Sequence, residues 1–255
     1  MVHIRVENLG LQYPLQKRKT LLGRMSPIAG QNSLAGRNGK TVNRVTAIDG
    51  ISFSLSAGDR LAVIGANGAG KTTLLKVLYG IFEPTSGSVE IQGRVDALFN
   101  INLGFRREAT GRRNIELRGL INGWSKAEID ERMDEIIAFS ELGEFIDMPF
   151  KLYSQGMGAR LAFATATSFR PEILLMDEWI GAGDLNFQKK AKERMQTMVE
   201  AAGIIVLASH NPAILRATCS HGLVMERGKA LFFGPLEDAL AHYEKHSEKA
   251  DRQSR

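Results

Sequence analysis

The chain has a single cysteine, Cys219, in 255 residues. That excludes an intrachain disulfide and any cysteine-cluster metal site, and it suits a reducing compartment. The residue itself is expected to be a small buried hydrophobe. No run of 18 or more apolar residues occurs, so an ordinary membrane-spanning helix is excluded. The first residues, Met1-Val2-His3-Ile4-Arg5-Val6-Glu7, alternate polar with apolar where a signal peptide would have an apolar block. Together these absences predict a cytoplasmic protein, unless a partner tethers it to a membrane. Acidic residues are missing from Pro14 to Arg44, a stretch holding seven basic ones: Lys17, Arg18, Lys19, Arg24, Arg37, Lys40 and Arg44. Such a patch suits anionic lipid headgroups or nucleic acid, with a solvated basic loop as the plain alternative. No internal repeat is found.

With 44% hydrophobic and 24% charged residues, the chain can bury a substantial core. One domain is expected, over 1–246, with a lobe at about 105–165 and a charged tail over 247–255. Strands are expected at Ile4–Leu9 and Val45–Leu55 from their period-two alternation. The polar stretch between them, 14–44, is long for a connection inside a compact domain and is expected to be functional or partly disordered. Leu61-Ala62-Val63-Ile64 reads as a buried central strand, followed by a helix from about Gly70 that breaks at Gly80. A second helix over 126–140 carries Ile129, Met133, Ile136, Ile137 and Ser140 at helical spacing, with Ser125 and Glu128 forming a capping box. Ile173–Asp177 and Ile204–Ala208 read as further buried strands around a helix at Gln188–Ala201. Strands alternating with helices indicate an α/β sheet with parallel strands and a ligand at their carboxyl ends.

The strand Leu61–Ile64 runs into Gly65-Ala66-Asn67-Gly68-Ala69-Gly70-Lys71-Thr72. A triphosphate needs many donors near the backbone with no side chains in the way, and glycines at 65, 68 and 70 let amides turn inward at a helix N-terminus. Lys71 is expected on the β- and γ-phosphates and the Thr72 hydroxyl on magnesium, with Thr73 also among the nucleotide-binding residues. Downstream, Asp177-Glu178 ends an apolar strand. Phosphoryl transfer to water needs a carboxylate in the metal shell and a base to activate water, roles expected of Asp177 and Glu178 respectively.

Two more segments follow the same order: Tyr153-Ser154-Gln155-Gly156-Met157 opening a helix about 20 residues before the acidic pair, and His210 ending a strand about 30 residues after it. With the phosphate loop, they resemble the nucleotide-binding domain of the ATP-binding cassette family over residues 3 to about 243. The resemblance implies a P-loop fold with a mostly parallel core sheet, an antiparallel β subdomain and a helical lobe. It also implies a head-to-tail homodimer in which each ATP lies between one chain's phosphate loop and the other's Ser154 and Gly156. His210 is then the γ-phosphate switch residue, Asp184 in Gly181-Ala182-Gly183-Asp184 a dimer contact, and Tyr13 the adenine stack. The family's usual signature has two adjacent glycines followed by glutamine; Gln155 and Met157 occupy two of those positions. The usual glutamine near residues 99–104 is also missing, leaving Asn100 or Asn102 as the shorter amide.

Finer details resemble one branch: Pro84-Thr85-Ser86-Gly87, Leu103-Gly104-Phe105, Thr110-Gly111-Arg112-Arg113-Asn114-Ile115, and the run Ser140–Pro149 leading to Tyr153–Met157. This branch exports lipid-linked polysaccharide such as O-antigen, capsule or teichoic acid. It implies ATP and Mg2+ as cofactors, integral membrane permease subunits contacted around 99–125, and a peripheral location on the cytoplasmic face of the inner membrane. The chain stops at Arg255, so an appended carbohydrate-binding domain is not expected. A cassette subunit of another transporter, or a soluble cassette acting on ribosomes or nucleic acid, is the alternative; nucleic acid is not the expected partner.

Overall fold

A computed structural model of the chain describes residues 1–14, 33–35, 41–99, 104–178 and 185–253. The basic residues Lys17, Arg18, Lys19, Arg24, Arg37 and Lys40, the amides Asn100 and Asn102, and the Gly181–Asp184 segment lie outside them.

Two sheets face each other. The first is antiparallel, ordered β2-β3-β1-β5, with β1 His3–Pro14, β2 Ser33–Ala35, β3 Thr41–Ser56 and β5 Ser86–Gln92. The second is ordered β10-β9-β4-β8-β7-β6, from β4 Arg60–Ile64, β6 Val95–Ala97, β7 Ile173–Asp177, β8 Ile204–Ala208, β9 His221–Glu226 and β10 Lys229–Pro235. All its pairings are parallel except β10 on β9. This is the mostly parallel core sheet with an antiparallel subdomain that the resemblance implies.

The continuous apolar runs of β4, β7 and β8 follow from burial on both faces. Leu61, Val63, Ile173, Leu175, Ile204 and Val206 join a core with the first sheet and with α1 (Lys71–Leu78). Their immediate neighbours Ala62, Ile64, Leu174, Met176, Ile205 and Leu207 pack in a second core against α5 (Leu185–Ala201), α6 (Pro212–Thr218) and α7 (Leu236–Gln253). Period two thus divides each strand between two cores. The charged segment from 247 continues as the last turns of α7, to Gln253. Cys219 is free and buried in the second core, where burial pushes its thiol up to about 12.

The strand predicted at Ile4–Leu9 extends to Pro14. Its pairing with β3 shifts register after Val6, after Leu9 and after Leu11, so Leu9, Gly10 and Leu11 are all buried in succession. Bulges of this kind erase the alternation that marks a strand in sequence.

The lobe contains α2 (Gly111–Ile121), α3 (Lys126–Ser140), two short 3-10 turns (Gly143–Asp147 and Phe150–Leu152) and α4 (Gln155–Ala166). The capping box is present: the Ser125 hydroxyl accepts from the Glu128 amide at 3.2 Å, and the Ser125 amide donates to the Glu128 carboxylate at 2.8 Å. That backbone donor, reinforced by Arg94, pulls Glu128 down to about 2. Arg94 also lies 4.4 Å over the Trp124 ring, which stacks on Phe169 at 4.0 Å, so the lobe core is fastened to the turn just before β6. α4 spans both layers: Leu161 and Ala164 fill the lobe core, whereas Phe163 and Ala166 fill the core beneath the sheet.

A buried polar cluster makes a second fastening. Asp96, 2% exposed on β6, accepts from the Ala97 amide at 2.8 Å and from the Asn122 side chain at 3.1 Å, with Arg118 Nη2 at 3.9 Å. Asn122 in turn accepts from the Tyr79 hydroxyl at 3.1 Å. Tyr79 caps α1 and Asn122 caps α2, so the helix after the phosphate loop, the edge strand and the lobe meet at one point.

Candidate nucleotide site

β4 ends at Ile64 and α1 begins at Lys71, with the glycine-rich loop between them. Gly65 has no room for a side chain, since a Cβ there would sit 2.4 Å from the Met225 carbonyl. Gly70, the α1 N-cap, has φ 107, a conformation that costs other residues strain. The loop is pressed against the β9–β10 turn, where Arg227 and Gly228 both have positive φ, the pattern of a tight hairpin. The Gly228 amide donates to the Ala69 carbonyl at 2.9 Å.

These elements enclose a cleft of about 580 Å³, lined by Tyr13, Asn67–Thr73, Asp177, Glu178, His210 and Arg227, with Val45, Thr46 and Ala47 from β3. The volume falls within the ordinary range of small-ligand sites. The structure therefore brings together Tyr13, Asn67, Gly68, Ala69, Gly70, Lys71, Thr72, Thr73, Asp177, Glu178 and His210 from segments far apart in sequence. Gly65 and Ala66 supply carbonyls to the Lys71 ammonium, at 2.6 and 3.2 Å, and His210 Nε2 lies 3.2 Å from the same nitrogen. Lys71 is 8% exposed. Burial lowers its pKa, against the opposing pull of Asp177 and Glu178.

The Thr72 hydroxyl donates to Asp177 Oδ2 at 2.5 Å. Two hard oxygens, one anionic, fit a magnesium ion that takes its remaining ligands from phosphate and water. Among the described residues no group of three or more His, Cys, Asp and Glu could hold a metal by itself.

Glu178 has φ 70, left-handed for a residue with a side chain. Its amide donates to the Ala208 carbonyl at 2.7 Å, and its carboxylate accepts from the Ser209 hydroxyl at 2.9 Å and the His210 amide at 3.1 Å. Tyr13 packs edge-to-face on Phe82 at 5.4 Å. Burial raises its hydroxyl, and a hydrogen bond with Thr73 partly offsets this.

Ser154 and Gly156 are elsewhere. Ser154 caps α4, its hydroxyl accepting from the Met157 amide at 3.2 Å, and nothing but that hydroxyl lies within 4 Å of a Cβ built on Gly156. Ser154 lines a separate hollow of about 480 Å³ with Phe105, Arg107, Phe150 and Tyr153. Within one chain the signature segment and the phosphate loop do not share a cleft. Sequence reasoning gave no role to Ser209, Arg227 or Ala47; the Arg227-Gly228 pair is a readable turn signal, but its approach to the phosphate loop is long-range.

Residues 48–181 match the family model described as ABC transporter. The chain is 38% identical over 234 residues to the O-antigen export system ATP-binding protein RfbE of Yersinia enterocolitica, covering 89% of this chain and 98% of that one. It is 41% identical over 218 residues to RfbB of Myxococcus xanthus, also named an O-antigen export system ATP-binding protein, covering 86% of this chain but only 50% of that longer one. A teichoic acids export ATP-binding protein TagH, from Staphylococcus haemolyticus, is 38% identical, with 83% and 82% covered. Among solved structures, a dimeric ATP-binding cassette, MJ0796, bound to ADP and Pi superposes with TM-score 0.64 at 19% identity, over 91% of this chain and 98% of that one, a likeness of fold. The chain belongs to the ABC transporter family, as one of its ATPase cassettes.

Proposed function

We propose that the chain is the ATP-hydrolysing subunit of an exporter of lipid-linked polysaccharide, of the O-antigen, capsule or teichoic acid type, working as a head-to-tail homodimer on permease subunits at the cytoplasmic face of the inner membrane. The observation that carries this is the combination of a built phosphate cleft with relatives that match over most of both chains and are named O-antigen or teichoic acids export ATP-binding proteins. No helix of the described residues is long and apolar enough to cross a membrane.

In this reading the inward amides of Gly65–Thr72 and the α1 N-terminus hold the phosphates, and Lys71 neutralises them. Thr72 and Asp177 hold magnesium, which supplies charge neutralisation when bound. Glu178 accepts the proton of the attacking water, His210 contacts the γ-phosphate, and Tyr13 supports adenine. Ser154 and Gly156 of the second copy complete the site, which accounts for their distance from the phosphate loop within one chain. Closure on ATP and reopening after hydrolysis drive the permease through the lobe. The single-domain boundaries over 1–246 belong to the same reading.

The test is genetic. Deleting the chain's gene should leave lipid-linked glycan on the inner leaflet and remove it from the surface, with rescue by wild type and none by Lys71→Ala. Unchanged surface glycan in the deletion strain contradicts the proposal.

A further inference from the structure

We infer that Ser209 is a positioning residue for Glu178, its hydroxyl setting the direction in which the carboxylate faces the cleft. The inference rests on the reading of Glu178 as the general base.

The left-handed backbone at Glu178 is strained for a residue with a Cβ. It persists because the turn is held on both sides: the Glu178 amide bonds the end of β8, and the side chain folds back to the two residues that follow β8. Ser209 is 1% exposed, so water does not compete freely for its hydroxyl. That hydroxyl accepts from the Asn211 amide at 3.2 Å, and its own proton is directed to Glu178 Oε2 at 2.9 Å. Asn211 is fixed as well, since its side-chain oxygen caps α6 by accepting from the amides of Ala213 and Ile214. The chain of donors therefore runs from a capped helix through Ser209 to one carboxylate oxygen, while the His210 amide holds the other. Anchoring both oxygens removes the side-chain rotation that a free glutamate keeps, and leaves on each oxygen a second acceptor direction for a water in the cleft. A general base must present such a direction to the proton it abstracts.

The experiment is steady-state ATP hydrolysis by the full chain carrying Ser209→Ala, Ser209→Thr, Glu178→Gln and the Ser209→Ala/Glu178→Gln pair. Loss of one hydrogen bond to a charged group should lower kcat about tenfold. KM for ATP should stay within about twofold, because the binding elements are untouched. Ser209→Thr, which keeps the hydroxyl, should recover most of the loss. A purely structural role does not produce that kcat-to-KM split, nor its recovery by Ser209→Thr. In the Glu178→Gln background the serine substitution should have no further effect. Wild-type kcat in Ser209→Ala, or an equal loss in both backgrounds, overturns the positioning role while leaving Glu178 as base. Near-wild-type turnover by Glu178→Gln overturns the base reading itself.

Discussion

Lys71 Nζ lies 3.2 Å from His210 Nε2, so the phosphate-loop lysine and the histidine just after β8 share a hydrogen bond across 139 positions of sequence. An ammonium has only donors, so in this hydrogen bond His210 Nε2 accepts. With the Gly65 and Ala66 carbonyls, the three protons of Lys71 have three acceptors. In the proposed function a bound phosphate competes for those protons, and His210 contacts the γ-phosphate.

His210→Ala should therefore leave ATP affinity within a few-fold of wild type, because it removes a competitor for Lys71 as well as a contact, while turnover falls at least about tenfold. Calorimetric titration beside a phosphate-release assay separates the two. A large loss of affinity with unchanged turnover contradicts the arrangement.

Asp177 and Thr72 supply the oxygens proposed to hold magnesium. Asp177→Asn removes the negative one, so the magnesium concentration for half-maximal turnover should rise by about tenfold or more, and chelation with EDTA should abolish turnover in both proteins. A magnesium titration checks this, and an unchanged midpoint assigns the metal elsewhere.

Asp96 connects pH to stability. Burial, opposed by Arg118, the Ala97 amide and Asn122, raises its carboxyl to about 6 from 3.8. The folded protein then holds this proton more tightly than the unfolded chain, so stability is gained as pH falls through about 6 and is fully present below 3.8. Between pH 7 and pH 5 the gain is about 1 kcal/mol. Relative to Asp96→Asn, the wild-type melting temperature should rise by about 2–4 °C over that interval. A constant difference between the two proteins contradicts the buried, raised carboxyl.

What the sequence made legible follows from locality. β4, β7 and β8 were readable because burial on both faces leaves unbroken apolar runs, and α3 because Ser125 and Glu128, three residues apart, announce its start. The phosphate loop and the Asp177-Glu178 pair were readable because their chemistry sits in adjacent residues. The end of β1 was lost to bulges, and the Arg227-Gly228 turn gives no local sign that it braces Ala69. Ser209 acquires its role only through the left-handed turn at Glu178, 31 residues earlier, and Asp96, on a strand, only through Arg118 of α2 and its cap Asn122. Such partners meet in space, and neither period nor spacing records them.

In the proposed homodimer each nucleotide site is completed by a second copy of the chain. Lys71→Ala disables a phosphate loop and Ser154→Arg disables a signature segment, so each variant alone should be inactive. In a head-to-tail dimer the mixed pair keeps one site with an intact loop from one chain and an intact signature from the other. After subunit exchange, an equimolar mixture should regain about a quarter of wild-type ATP turnover, half the dimers being mixed and each having one good site. A mixture as inactive as its components contradicts the account.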